Sequence, residues 1–174
     1  MITILGKVLK NINLRLFNRR VDIKGSVNLH WNTKIIVSND GKMSLGNGLS
    51  TFNNVHLTAN GGNLSIGSEV FFNRNCLVIC MDSIKIGNHC LFGPNVCVYD
   101  HDHKFGVQGV QNQYNTSPIV IEDGCWIGAN AVILRGSYIG KGCVIGAGTV
   151  IKGRVPPHSI VTNERKLIIK PIEE

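Results

Sequence analysis

Apolar residues return at every sixth position in the last third of the chain, at Ile121, Ile127, Ile133, Ile139, Ile145 and Ile151. The fourth place after each holds a small or β-branched residue: Cys125, Ala131, Ser137, Cys143, Thr149 and Val155. An α-helix turns about 100° per residue, so successive isoleucines would stand about 240° apart around it; six is even, and keeps them all on one face of an extended strand. Glycine follows the apolar residue at Ile127-Gly128, Ile139-Gly140 and Ile145-Gly146. No free hairpin needs that beat, but a coil of short strands joined by tight corners does. The pattern predicts an all-β chain wound as a parallel β-solenoid.

The beat continues backwards with interruptions. Ile86-Gly87-Asn88-His89-Cys90-Leu91 runs into Phe92-Gly93-Pro94-Asn95-Val96-Cys97, and Ile66-Gly67-Ser68-Glu69-Val70-Phe71 and Leu45-Gly46-Asn47-Gly48-Leu49 come before them. Three hexapeptides per triangular coil place coil starts near Ile23, Leu45, Ile66, Ile86, Ile121 and Ile139. Extra residues are extruded at corners, the longest from Asp100 to Pro118. The chain therefore divides into an N-terminal capping segment over 1–22, a solenoid over 23–157 carrying the loop 100–118, and a C-terminal tail over 158–174. In the first segment Ile2, Leu5, Val8, Ile12 and Leu16 recur at helical spacing among lysines and arginines. A short helix that caps the open end of the solenoid is expected there, with weak membrane-surface binding through 1–20 as the minority reading.

Composition sharpens this picture. A chain of 174 residues with 20 glycines suits one domain of repeated corners better than a helical bundle. Met1 to Arg20 holds no apolar run near the ~18 residues that cross a bilayer and no signal-peptide pattern, so a cytoplasmic location is expected. Of the six cysteines, Cys76, Cys90, Cys125 and Cys143 stand four places after a residue that opens a hexapeptide. All six are expected to be interior, reduced thiols. No paired Cys-x-x-Cys spacing suggests a zinc cluster, and no metal is expected.

The candidate chemistry sits in the extrusion. Val98-Tyr99-Asp100-His101-Asp102-His103-Lys104-Phe105 places two histidines and two aspartates where a repeat would have continued with apolar residues. Loops on rigid scaffolds concentrate function. Histidine as a residue type can take a proton near neutral pH, and an adjacent carboxylate can fix its tautomer. A solvated polar loop, or a His-x-His pair holding a metal, is the bland alternative.

With loop and repeats in view, Ile23 to Pro157 resembles the hexapeptide-repeat acyltransferases, the family of galactoside, maltose and xenobiotic acetyltransferases and many polysaccharide O-acetyltransferases. The specific stretch is Cys125-Trp126-Ile127-Gly128-Ala129-Asn130, then Ile145-Gly146-Ala147-Gly148 and Pro156-Pro157. The resemblance implies a left-handed β-helix, a homotrimer and acetyl-CoA held between neighbouring chains. An ungapped match from Ile86-Gly87 puts the family's catalytic histidine at His103, with His101 the runner-up. The same match puts the family's asparagine at Asn73, thirty residues before His103. It also implies cofactor contacts at Trp126, Ala129, Ala147, Lys152 and Lys170. The ending Val161-Thr162-Asn163-Glu164-Arg165 departs from the family's usual Ala-Gly-x-Pro-Ala turn.

The implied activity is acetyl-CoA-dependent O-acetylation of a sugar or glycan hydroxyl in cell-surface polysaccharide synthesis, by direct transfer with His103 as general base. N-acetylation of an amino sugar is the alternative enzyme, and a noncatalytic or metal-binding β-helix the alternative class. A formal net charge of +7 favours acidic ligands such as the phosphates of CoA. Nucleic acid is not expected, because the basic C-terminal stretch lacks interleaved aromatics or a groove-entering helix.

Overall fold

Each hexapeptide lays down one short strand and one corner, and three such strands close a coil. The computed structural model describes residues 20–163, in which all regular structure is β-strand. Six full coils and the first two strands of a seventh stack as three parallel sheets. The first sheet holds Val21–Ile23, Lys42–Leu45, Asn63–Ile66, Ser83–Ile86, Ile119–Ile121, Tyr138–Ile139 and Arg154–Val155. The second runs from Val27–Asn28 to Ile160–Val161, and the third from Lys34–Ser38 to Val150–Ile151. The strands thus begin two residues before and end four residues after the expected 23–157. The helix and the membrane contact expected within 1–20 fall almost entirely outside the described residues.

Register follows the sequence beat. Ile23, Leu45, Ile66, Ile86, Ile121, Ile139 and Val155 stand one above another in the first sheet. All the sixth-place isoleucines are buried, as are Cys125, Ala131, Ser137, Cys143, Thr149 and Val155. The core is therefore a stack of repeated small layers, each buried aliphatic contributing roughly 1.5–3 kcal/mol.

Two corner positions need particular residues. A Cβ on Gly128 would stand 2.7 Å from the backbone nitrogen of Ala147 in the next coil, so only glycine fits there. Two residues later the chain turns with positive φ, at Asn54, Asn75, Asn95, Asn130 and Gly148 between the second and third sheets, where asparagine and glycine are the tolerant choices. The asparagines also join into a ladder. Asn54 Nδ2 donates to Asn75 Oδ1, Asn75 Nδ2 to Asn95 Oδ1 and Asn95 Nδ2 to Asn130 Oδ1, each at 3.0 Å.

The outward faces differ. Ser44, Ser65, Lys85, Val120, Tyr138 and Arg154 line up on the first sheet, a mostly polar column. The second presents Phe71, Leu91, Trp126, Val144 and Ile160, and the third presents Leu77, Cys97, Val132 and Val150 beside Ile79, Tyr99 and Leu134. These two faces are apolar from the third coil onward, with Asn28 and Ser50, and Lys34, His56 and Thr58, in the same columns of the first two coils, while the first face is wet.

Cys97 corrects the expectation that every thiol is interior. It alternates with the inward Val96 and Val98, so its side chain stands outward and half-buried, whereas the other five are buried. All six are free thiols. Burial pushes Cys76 up to about 11 and, with Asp100 nearby, Cys80 up to about 12. Cys90 is raised by its contact with the Cys125 thiol and by burial. The same contact lowers Cys125 to about 7, so burial is what protects it. Because all five are buried, alkylation of the native protein should spare them until it unfolds, with Cys97 alone able to react earlier. Rapid labelling of any of the five in folded protein would contradict the packing.

Candidate active site

The extrusion is an antiparallel hairpin of His101–Gly106 and Gly109–Thr116, not an irregular loop. Its two-residue tip, Val107-Gln108, is closed by the Gly106–Gly109 pair, with Gly109 at φ +97. Phe105, Val107 and Val110 near the tip are exposed. The hairpin springs from the corner between the third and first sheets.

Two carboxylates pin its root to the scaffold. Asp100 is completely buried. Its Oδ1 accepts from the Met81 amide at 2.8 Å and its Oδ2 from the Asp82 amide at 2.8 Å. These amides belong to the turn of the preceding coil, which the departing chain would otherwise leave uncovered. Asp102 reaches forward instead, accepting from Arg135 Nε at 2.5 Å at the same corner of the following coil. The Ser117 amide donates to Asp100 O at 3.0 Å and closes the base.

Strand alternation puts His101 and His103 on one side of the hairpin, with Tyr114 against both, its ring centroid 5.5 Å from His101 and 4.5 Å from His103. His101 Nδ1 lies 3.2 Å from Asp100 Oδ1, and His103 Nδ1 lies 3.4 Å from Gln111 O. A carboxylate and a carbonyl can only accept, so both contacts favour the tautomer with the proton on Nδ1, which leaves Nε2 with a free lone pair. The two differ in access. The His101 side chain retains 16% of its exposure, while His103 is exposed.

The other expected site residues stand elsewhere. Asn73, Ala129 and Ala147 lie on the ridge between the second and third sheets, and Trp126 faces outward from the second sheet beside it, 56% exposed. Within one chain the third sheet separates this ridge from the hairpin, a span on the order of 15 Å at ~3.3 Å per strand residue. Lys152 is exposed at the hairpin's corner, two coils on, away from the alanines. Lys170 lies outside the described residues.

The ridge has donors to spare. The amides of Ala129 and Ala147 donate to no acceptor among the described residues, and the small side chains leave both open. Asn73 Oδ1 accepts from the Arg74 amide at 2.8 Å, which leaves its Nδ2 to donate outward. The donors and the flat, exposed Trp126 fit a thioester carbonyl and its pantetheine arm. Among the described residues no three His, Cys, Asp or Glu side chains converge on a point that could hold a metal ion, and no helix is long and apolar enough to cross a membrane.

Sequence reasoning passed over Arg135 and Tyr114. Arg135 sits in an ordinary-looking repeat corner, and only the three-dimensional stack carries it to Asp102. The register of the hairpin, legible from alternation once strands are assigned, is what brings Tyr114 opposite His103.

The fold is a hexapeptide solenoid with one extruded hairpin. Residues 118–153 match the family model of the bacterial transferase hexapeptide, six repeats. Galactoside O-acetyltransferase of Lactococcus lactis is 30% identical over 66% of this chain and 56% of its own length, and that of Escherichia coli is 30% identical over 66% and 57%. The hexapeptide-repeat acetyltransferase VCA0836 of Vibrio cholerae, in its acetyl-coenzyme A complex, superposes with a TM-score of 0.59 at 25% identity, over 87% of this chain and 69% of that one. AntD, an N-acyltransferase from Bacillus cereus, shares the fold with a TM-score of 0.73 at 18% identity, over 90% and 87%. Over residues 118–153 the chain carries the bacterial transferase hexapeptide repeat, and it is similar in sequence to these O-acetyltransferases. It spans a little over half the length of the galactoside relatives it matches.

Proposed function

We propose that the chain is an acetyl-CoA-dependent O-acetyltransferase acting on a sugar hydroxyl in cell-surface polysaccharide synthesis, working in the cytoplasm as a homotrimer of left-handed β-helices. The observation that carries the reading is the ridge of unpaired amides beside Trp126, with an exposed histidine on the hairpin across the third sheet as the candidate base. The named activities of the galactoside O-acetyltransferases support it, as does WbbJ of Escherichia coli, assigned by name to lipopolysaccharide biosynthesis O-acetyl transfer and matched over 74% of its length.

Acetyl-CoA supplies the acetyl group as an activated thioester. His103 Nε2 takes the proton from the acceptor hydroxyl as its oxygen attacks the thioester carbonyl; the adduct then breaks its C–S bond, and CoA leaves as the thiol carrying that proton. The Ala129 amide faces the carbonyl oxygen on which charge builds, and Asn73 Nδ2 holds the acceptor. Trp126 and Ala147 line the cofactor path, and Lys152 with Lys170 offers charge to its phosphates. A cysteine nucleophile is disfavoured: Cys76, Cys80 and Cys90 are buried with raised pKa values, and Cys125, which its contact with the Cys90 thiol lowers to about 7, is buried in the core out of reach of a substrate.

Because ridge and hairpin stand on opposite sides of the third sheet, the site is completed by the hairpin of a neighbouring chain. Two apolar outward faces per chain suit such a contact, since unlike faces that meet head to tail close into a ring. Light scattering should give three times the 19.0 kDa chain mass; a monodisperse, fully active monomer would contradict the shared site. The activity itself is tested by CoA thiol release with acetyl-CoA and a panel of sugars and amino sugars, beside metal analysis of the purified protein. Release with hydroxyl acceptors alone supports O-transfer; release only with amines assigns N-transfer. Stoichiometric metal without CoA binding would overturn both.

A further inference from the structure

The ridge that carries Asn73 changes character towards the N-terminal coils. Phe52, Asn73, Gly93, Gly128 and Gly146 occupy one position in successive coils, linked by amide-to-carbonyl bonds from each coil to the strand end of the next, such as Phe52 N to Phe72 O and Asn73 N to Phe92 O, 2.9 and 3.0 Å. Towards the proposed cofactor end this position is glycine three times over. Towards the other end it bears an aromatic ring. Phe52 is 46% exposed and stands edge-on to Phe71, centroids 5.1 Å apart at 89°. The Arg74 guanidinium lies over the Phe52 ring, 5.7 Å from its centroid. Arg74 is exposed and makes no ion pair with any described residue. One coil further on, Trp31 is 57% exposed on the same corner.

None of this is needed for the proposed acyl transfer, and large exposed rings next to an unpaired arginine are not ordinary surface. An aromatic face stacks on a sugar ring or a nucleobase, and a guanidinium recognises a carboxylate or phosphate in a planar, two-pronged way. The two together select a ligand that carries a flat or apolar ring face and a negative charge. Adjacent coils are ~4.8 Å apart, so Phe52 lies one coil beyond Asn73, about the span of a single sugar ring. A group bound at Phe52 and Arg74 would therefore leave a neighbouring sugar unit at Asn73.

We propose that Phe52 and Arg74 form a distal acceptor subsite that stacks on the ring and binds the charge of an anionic saccharide, the acceptor of the reaction. The inference rests on the proposed transferase reading, which it deepens by naming the acceptor class. The charge could belong to an acidic sugar of a glycan or to the phosphates of a nucleotide-activated sugar, and the chemistry at Phe52 and Arg74 is common to both.

The test reads binding rather than turnover. The full chain is titrated calorimetrically with galactose, with a glucuronic acid-containing disaccharide and with uridine diphosphate glucose. Phe52→Ala, Phe52→Tyr and Arg74→Ala are measured alongside, with acetyl-CoA affinity and assembly mass followed in each. One of the charged probes should bind at least about tenfold more tightly than galactose. Phe52→Ala and Arg74→Ala should each weaken it roughly tenfold, the scale of a ring or cation–π contact. Phe52→Tyr should retain binding, and acetyl-CoA affinity and assembly mass should hold in all three. Dependence seen with the disaccharide assigns a glycan acceptor; dependence seen with the nucleotide assigns an activated sugar. Equal, weak binding of all three probes would overturn the subsite, as would variants that bind like wild type. A fall in assembly mass for Phe52→Ala would also overturn it and reassign the ring to a contact between chains. If no acetyl transfer is found while Phe52 and Arg74 still govern binding of a charged probe, the transferase reading fails and the subsite stands.

Discussion

Replacing His103 by alanine is expected to lower turnover by roughly 100- to 10,000-fold, the usual range for loss of a general base, with acetyl-CoA affinity nearly unchanged because the cofactor path lies on the ridge. His101→Ala should cost much less. Both histidines have Nδ1 against an acceptor, but His101 is mostly covered and held by Asp100, whereas His103 is exposed. Measuring turnover and cofactor affinity for the two variants separates their roles. A far larger loss from His101→Ala would move the base to that residue. Small, equal losses from both would end the histidine-base mechanism.

The second large effect is expected at Asp100, where the chain leaves the solenoid. Its carboxylate lies wholly inside and accepts from two backbone amides of the neighbouring coil. Asp100→Ala would orphan both, at about 2–6 kcal/mol if each buried donor costs 1–3 kcal/mol. For a chain of this size that corresponds to a fall in Tm of about 10 °C, and loosening of the hairpin root should lower turnover as well. Asp100→Asn keeps one carbonyl acceptor and should recover part of the loss in both. Differential scanning calorimetry of the three proteins checks this, with His101→Ala as the control for the imidazole contact. An Asp100→Ala protein that melts with the wild type would show that water replaces the carboxylate without cost.

The scaffold was largely legible from the isoleucine beat, because a solenoid repeats one local rule and each coil touches only its neighbours. Coil starts read from single hydrophobic positions lie in register across the whole first sheet. Local rules do not reach the features that depend on the stack. The small-residue slot that four other thiols fill predicts an interior Cys97, yet strand alternation turns it outward. The polar residues of the extrusion predict a loop; its strands pair with each other and need no buried face. Asp100 and Asp102 could be named as neighbours of the histidines, but their partners Met81, Asp82 and Arg135 lie one coil away on either side. Spacing from repeat anchors supports the choice between His103 and His101, and the hairpin's geometry makes the same preference physically reasonable.

The glycine and asparagine ridge between the second and third sheets makes position along the solenoid axis a matter of whole numbers. Asn73, Ala129 and Ala147 belong to the third, fifth and sixth coils, so the distances between them come in steps of one strand spacing, ~4.8 Å. A substitution cannot shift Asn73 along the axis by a fraction of a step, because every coil is clamped by the amide bonds of the next. Deleting or duplicating a whole coil between Asn73 and Ala129 would instead reset the gap by one unit while leaving each corner intact. The molecule is in this sense a graduated rule, on which the length of what is held is set by counting coils rather than by reshaping a pocket.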